Sequence, residues 1–183
     1  ARFPFSNFVF SDNEMPFDIE LEAFSPFIPH DLKNSSLPGV YFNFTIHSKS
    51  EKAVNVMLIG TLRNLVGYDM LEKSFASDTY SNDQFKFFVH SAKNMDESKS
   101  SFGQMGLGAI GGNEVSYYLG WENKHPYYEK LLISDRFPDI DDTENRNFNT
   151  KEGISLGRFA QFDNDQRCFS SIAVSHKLKA GSD

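Results

Sequence analysis

The sequence predicts an all-β fold: a two-sheet, mainly antiparallel β-sandwich with one or two short helices and long loops. Three observations predict it. Apolar residues recur with period two over several stretches, the mark of strands with one covered face. Turn-forming residues break the chain every ten residues or so, and no amphipathic period of 3.6 is sustained. Phe is also abundant: 19 of 183 residues, against one Trp, many at alternating positions that suit two inner sheet faces.

Phe3–Phe10 holds four Phe around Pro4 and reads as a short extended edge segment. Ser11–Glu14 is a turn of residues that bond their own backbone. In the next strand, Phe17, Ile19, Leu21 and Ala23 share one face and Asp18, Glu20 and Glu22 the other. Ser25–Gly39 follows. Pro26, Pro29 and Pro38 exclude a helix interior and a central ladder there, yet it carries Phe27, Ile28 and Leu37. Val40–His47 alternates again, placing Phe42 and Phe44 on the expected inward face. Ala53–Thr61 is apolar on both faces, as in a central strand covered on both sides. The short polar link before it predicts a hairpin with the preceding strand.

The strand pattern fails from Leu62 to Gln84. Tyr68–Phe75 suits one or two helical turns, because Met70, Leu71 and Phe75 can share a face, and Ser77–Gln84 reads as loop. Phe85–His90 is a strand and Ala92–Ser101 an exposed loop. Phe102–Ile110 and Glu114–Trp121, joined by Gly111-Gly112-Asn113, read as a hairpin. Asp135–Glu152 is a polar insertion, Phe159–Phe162 is too short to assign, and Cys168–His176 is the last strand.

One stretch resembles a known family. Glu22-Ala23-Phe24-Ser25-Pro26-Phe27-Ile28-Pro29, then Asn34-Ser35-Ser36-Leu37-Pro38 and an alternating strand, is similar to the N-terminal domain of glycoside hydrolase family 116. These are β-glucosidases and bile-acid-type glucosylceramidases. The resemblance is most specific over Phe5–Thr61, weaker over Gly103–Trp121, and returns at Ile172–Gly181. It implies a β-sandwich placed before a separate (α/α)6 barrel that carries the catalytic carboxylates. That barrel, in the same polypeptide, is then the implied partner, and a β-glucoside or glucosylated lipid the parent's substrate. Residues 1–183 are accordingly expected to form one sandwich domain of a longer protein.

Bulk properties narrow the function. The formal net charge is −7, without a basic block, which argues against nucleic acid and anionic membranes. No apolar run approaches a membrane span. One cysteine, Cys168, excludes an internal disulfide and reads as a small inert core residue. No targeting signal gives a compartment, and a secreted or periplasmic parent stays open.

Chemical motifs are sparse. The glycines of Gly103–Gly112 lack the helix that a dinucleotide fingerprint needs, and read as gaps where a neighbouring aromatic lies close. Asp139, Asp141, Asp142 and Glu144 read as a solvated loop, because an EF-hand register puts Glu144 where Gly is required. Asp163 and Asp165 read the same way. His30, His47, His90, His125 and His176 are scattered without zinc-ligand spacing. No cofactor or metal is expected.

Glycoside hydrolysis needs two carboxyl groups across a cleft, and no pair here has a motif behind it. No catalytic residue is assigned. The leading expectation is a non-catalytic accessory domain, with Phe24, Phe27, Ile28 and Leu37 facing the barrel. The alternative is a carbohydrate-binding module that stacks sugar on Trp121, Tyr127 and Tyr128. Tyr117 and Tyr118 are further aromatic candidates for that module. A stand-alone enzyme has least support.

Overall fold

The computed structural model describes residues 3–68, 72–110, 115–121, 127–129, 131, 134, 136–141, 143, 147–149 and 168–181, with side chains omitted at 72–74 and 147–149. The expected turn at Gly111–Asn113, the segment Phe159–Phe162, and His125, Asp142, Glu144, Asp163 and Asp165 lie outside the described residues. So do Met70 and Leu71 of the expected helical turn.

The fold is all-β and mainly antiparallel, and its strands form three sheets. The chain divides into two compact units, residues 1–56 with 177–183, and residues 57–176.

The first unit holds a three-stranded antiparallel sheet in the order β1 (Phe5–Phe10), β2 (Phe17–Phe24), β3 (Tyr41–Ser48). Register places Phe8, Leu21 and Phe44 side by side, with Phe10, Ile19 and Ile46 in the next row and Ser6, Ala23 and Phe42 in the row on the other side. Cross-strand neighbours share a face, so the alternation in the sequence becomes one apolar face. The other face carries Glu22 beside Asn43, Glu20 beside Thr45 and Asp18 beside His47, with Val9 beside Glu20 and the row Phe5, Phe24 and Tyr41 at one end; Lys49 Nζ lies 2.9 Å from the Asp18 carboxylate.

The Pro-rich connection between β2 and β3 holds one helical turn, α1 (Leu32–Ser35). Asp31 caps it, accepting the Asn34 N–H at 3.0 Å, a common way to satisfy a first-turn amide. That bonding holds the Asp31 carboxyl below the ordinary carboxylate range. Ser35 Oγ accepts from the Ile28 N–H and donates to the Ile28 carbonyl, and Ser25 Oγ donates to the Gly39 carbonyl. The linker is therefore a closed, internally bonded loop.

The second unit contains the two-sheet sandwich. One sheet runs β10 (Asn147–Asn149), β5 (Glu72–Ser81), β6 (Phe85–Lys93), β7 (Met105–Ile110). The other runs β4 (Val54–Arg63), β11 (Phe169–Leu178), β8 (Val115–Trp121), β9 (Ile140–Asp141), with β4 and β11 each crossing the boundary between units. Phe88 of one sheet meets Val115, Leu119 and Ile172 of the other, with Leu62, Leu107 and Val174 around them. A second cluster covers the far face of β8 and β11: Tyr118, Trp121, Tyr127, Phe137 and Ala173, against Met57, Ile59, Ile140 and Phe169.

Several expectations are corrected. Residues 77–81 are strand, not loop, because β5 pairs with β6 from Ser74↔Lys93 to Ser81↔Lys86. The strand begins at Glu72, so the helical turn expected up to Phe75 is absent from its last four residues. Polar residues on an exposed strand face hid the alternation. The two expected hairpins are not formed: β3 pairs with β2, β7 with β6, and β8 with β11 and β9. Proximity in sequence misled there, since these strands change sheets between neighbours. β4 is covered on both faces as expected, yet it stands at a sheet edge.

The glycines of β7 act as close-approach positions. A Cβ on Gly106 would stand 2.7 Å from the Phe88 carbonyl oxygen, and one on Gly108 would stand 2.7 Å from Phe87 Cβ.

Candidate functional site

Three groups of side chains bear on function. The first is the aromatic set Trp121, Tyr127 and Tyr128. Trp121 closes β8 and Tyr127 lies in a helical stretch whose described residues include 127–129. Trp121 and Tyr127 are each only 6% exposed. The Trp121 ring lies 4.4 Å from Tyr127 and 4.8 Å from Phe169, centroid to centroid. Its Nε1–H donates to Ser171 Oγ at 3.0 Å, and that hydroxyl also bonds Thr61 Oγ1 at 2.8 Å. A buried indole with its N–H satisfied in this way packs a core. Tyr128 is 55% exposed. Of the further aromatic candidates, Tyr118 is buried in the same cluster and Tyr117 is half-buried.

The second group is the linker. Phe27, Ile28 and Leu37 are exposed and Phe24 is half-buried, stacked on Tyr41 at 5.2 Å. Phe27, Ile28 and Leu32 line an open recess of about 470 Å³ together with His30, Asp31 and Ser35.

The apolar face of β1–β3 is the third group, and sequence reasoning missed its exposure. Phe8, Phe10 and Phe42 are 49%, 53% and 55% exposed, and Phe44 38%. The expectation that Phe42 and Phe44 point into a core is therefore corrected. The alternation placed them on the right face but could not show that the face lies open. None of the described residues 3–56 is buried. A three-stranded sheet with one apolar face ordinarily needs a layer over it.

Asp139 is also corrected. It is read from sequence as part of a solvated loop, but its Oδ1 accepts the Tyr117 N–H at 2.9 Å and its Oδ2 accepts from Arg136 at 3.0 Å. Lys86 Nζ stands 3.5 Å from the same carboxylate and 5.3 Å from the Tyr117 ring. The carboxylate, at a residue with φ of 55°, ties the segment before β9 to β8. Among the described residues, no three His, Cys, Asp or Glu side chains converge as metal ligands.

His90 is the one strongly perturbed titratable group among the described residues. It is fully buried, with Nδ1 2.8 Å from Ser77 Oγ, which accepts from Thr143 Oγ1 at 3.2 Å. Its ring lies 4.9 Å from Phe88. Nε2 has no well-formed hydrogen bond among the described residues, although the Leu62 carbonyl is near enough to favour the proton slightly. Burial pushes the imidazole down to about 4, against weaker upward pulls from Leu62 and the Asp141 carboxylate. A Ser–His contact suggests a nucleophile and its base, but Ser77 and Thr143 both serve His90 inside the packed sandwich. Cys168 is likewise fully buried, beneath the Asn64 N–H that donates to its carbonyl.

These features define a β-sheet module whose described polar clusters serve packing and whose first unit leaves apolar side chains exposed on one sheet face. The full length, residues 1–183, matches the family model described as beta-glucosidase 2, glycosyl-hydrolase family 116 N-term. The chain belongs to this family of N-terminal domains. Among curated proteins no match is found.

Proposed function

We propose that the domain is a non-catalytic accessory module that packs on and supports the catalytic domain of the same polypeptide. The observation that carries this reading is the match to an N-terminal glycosidase domain over the whole chain. The open apolar surface supports it, since apolar side chains exposed together on one sheet face are a common mark of an interaction site. Phe24, Phe27, Ile28 and Leu37 are proposed as part of the contact, three of them exposed. The parent's substrate on this reading is a β-glucoside or a glucosylated lipid, bound by the catalytic domain. Carbohydrate recognition by this module would rest on Tyr128, the exposed member of its aromatic set.

The test is truncation. Removing residues 1–183 from the parent enzyme should lower the melting temperature of the remainder and its yield of soluble active protein. An unchanged melting temperature and unchanged aryl β-glucoside hydrolysis would refute a supporting role.

A further inference from the structure

We propose that the apolar face of the β1–β3 sheet, rather than the linker alone, is the surface that seats the catalytic domain. The inference rests on the accessory reading above and goes beyond it by assigning the contact to one sheet face.

Register fixes the composition of that face. Phe8 and Phe10 come from β1, Ile19 and Leu21 from β2, Phe42 and Phe44 from β3. The opposite face carries Asp18, Glu20, Glu22, Asn43 and Thr45 along its middle, with Val9 beside Glu20 and the ring row Phe5, Phe24 and Tyr41 at one end, so it is the more polar side, the one such a sheet turns to water. The asymmetry is in burial as well as in sequence. In the second unit, Phe88, Val115, Leu119 and Ile172 are 0–3% exposed between two sheets. In the first, the equivalent Phe side chains are 38–55% exposed. Taken by itself, and among the described residues, the first unit has no second layer over this face, whereas the second unit has its own.

Size selects the occupant. Three strands about 4.8 Å apart and six residues long at about 3.4 Å each present roughly 300 Å² in projection, and more as accessible surface. Domain interfaces within one chain bury roughly 300–750 Å² on each side. Obligate dimers bury on the order of 1,000 Å² or more per partner. The face therefore fits an intrachain neighbour and is small for a second copy.

Connection points the same way. Residues 177–183 belong to the first unit, where the Gly181 N–H donates to the Ser50 carbonyl at 3.3 Å. The described segment up to Gly181 therefore stays with the unit that carries the open face. Covalent linkage raises the effective concentration of such a neighbour to the mM range, so a modest apolar face is enough.

The experiment uses the full-length parent. Phe42→p-benzoylphenylalanine, Phe44→p-benzoylphenylalanine and, on the opposite face, Thr45→p-benzoylphenylalanine are irradiated in separate proteins, and adducts are mapped by mass spectrometry. Each variant is first checked for unchanged aryl β-glucoside turnover, so that only folded protein is read. Positions 42 and 44 should cross-link within one molecule to residues of the catalytic domain, several-fold above position 45. Adducts to a second copy, adducts confined to residues 1–183, or yields equal to that at position 45 would each overturn the assignment. Loss of stability on truncation, combined with any of those outcomes, would keep the accessory role and remove this face from it.

Discussion

Acidification should destabilise the sandwich through His90. The imidazole is fully buried and held near pKa 4 by desolvation, against 6.5 for the free side chain. The unfolded chain therefore binds a proton at pH 5 that the folded chain refuses. Stability from the neutral ring is fully present above pH 6.5 and is lost as pH falls toward 4. Each pKa unit corresponds to about 1.4 kcal/mol, so the full span is about 3 kcal/mol, of which about 2 kcal/mol is lost between pH 7 and pH 5. For a chain of this size that lowers the melting temperature by roughly 4–8 °C. Calorimetric melting at both pH values measures it, with His90→Asn as reference. The amide retains a group near the Nδ1 position for Ser77 and does not titrate. The variant should be less stable at both pH values because it leaves a cavity, and its loss between pH 7 and pH 5 should be about 2 kcal/mol smaller. Carboxylates common to both proteins cancel in the difference. An identical pH dependence in the two proteins, or an imidazole titrating near 6.5 in the folded state by NMR, would refute the reasoning.

Other substitutions separate core from open face. Phe88→Ala, at a residue with no exposure, should cost about 3–5 kcal/mol, whereas Phe42→Ala in the 183-residue chain should cost about 1 kcal/mol; denaturant titration compares them. Gly106→Ala drives a Cβ to 2.7 Å from the Phe88 carbonyl, and overpacking of that kind should cost about 1–3 kcal/mol in the same titration. Asp139→Ala strands the half-buried Tyr117 N–H and should cost about 1–3 kcal/mol. Asp139→Asn retains an acceptor for that N–H and should cost less, a ranking that thermal melts can check.

The sequence showed the strands wherever one face of a strand is apolar and the other polar. β2 and β3 alternate cleanly, and their faces come out as expected. β5 was missed because Ser77, Asp78, Thr79 and Ser81 carry no apolar signal, and its pairing with β6 supplies what local pattern lacks. Strand partners were legible least. Period two fixes which residues share a face but not which strand lies alongside, so β7 and β8 looked like a hairpin and belong to different sheets. The same limit applies to the candidate sites. Tyr127 and Tyr128 are adjacent and chemically alike, yet one is 6% and the other 55% exposed. The roles of Asp139 and His90 depend on backbone amides and hydroxyls brought from distant strands, which no local motif announces. The apolar face of β1–β3 was legible as a face, and only the structure showed it uncovered.

The accessory role proposed above entails that this domain performs no glycoside chemistry itself. It is tested most directly by incubating the purified 183-residue chain with an aryl β-glucoside and following release of the phenol. No turnover above a heat-denatured control is expected. Steady hydrolysis that is abolished by changing a single Asp or Glu within residues 1–183 would contradict the account.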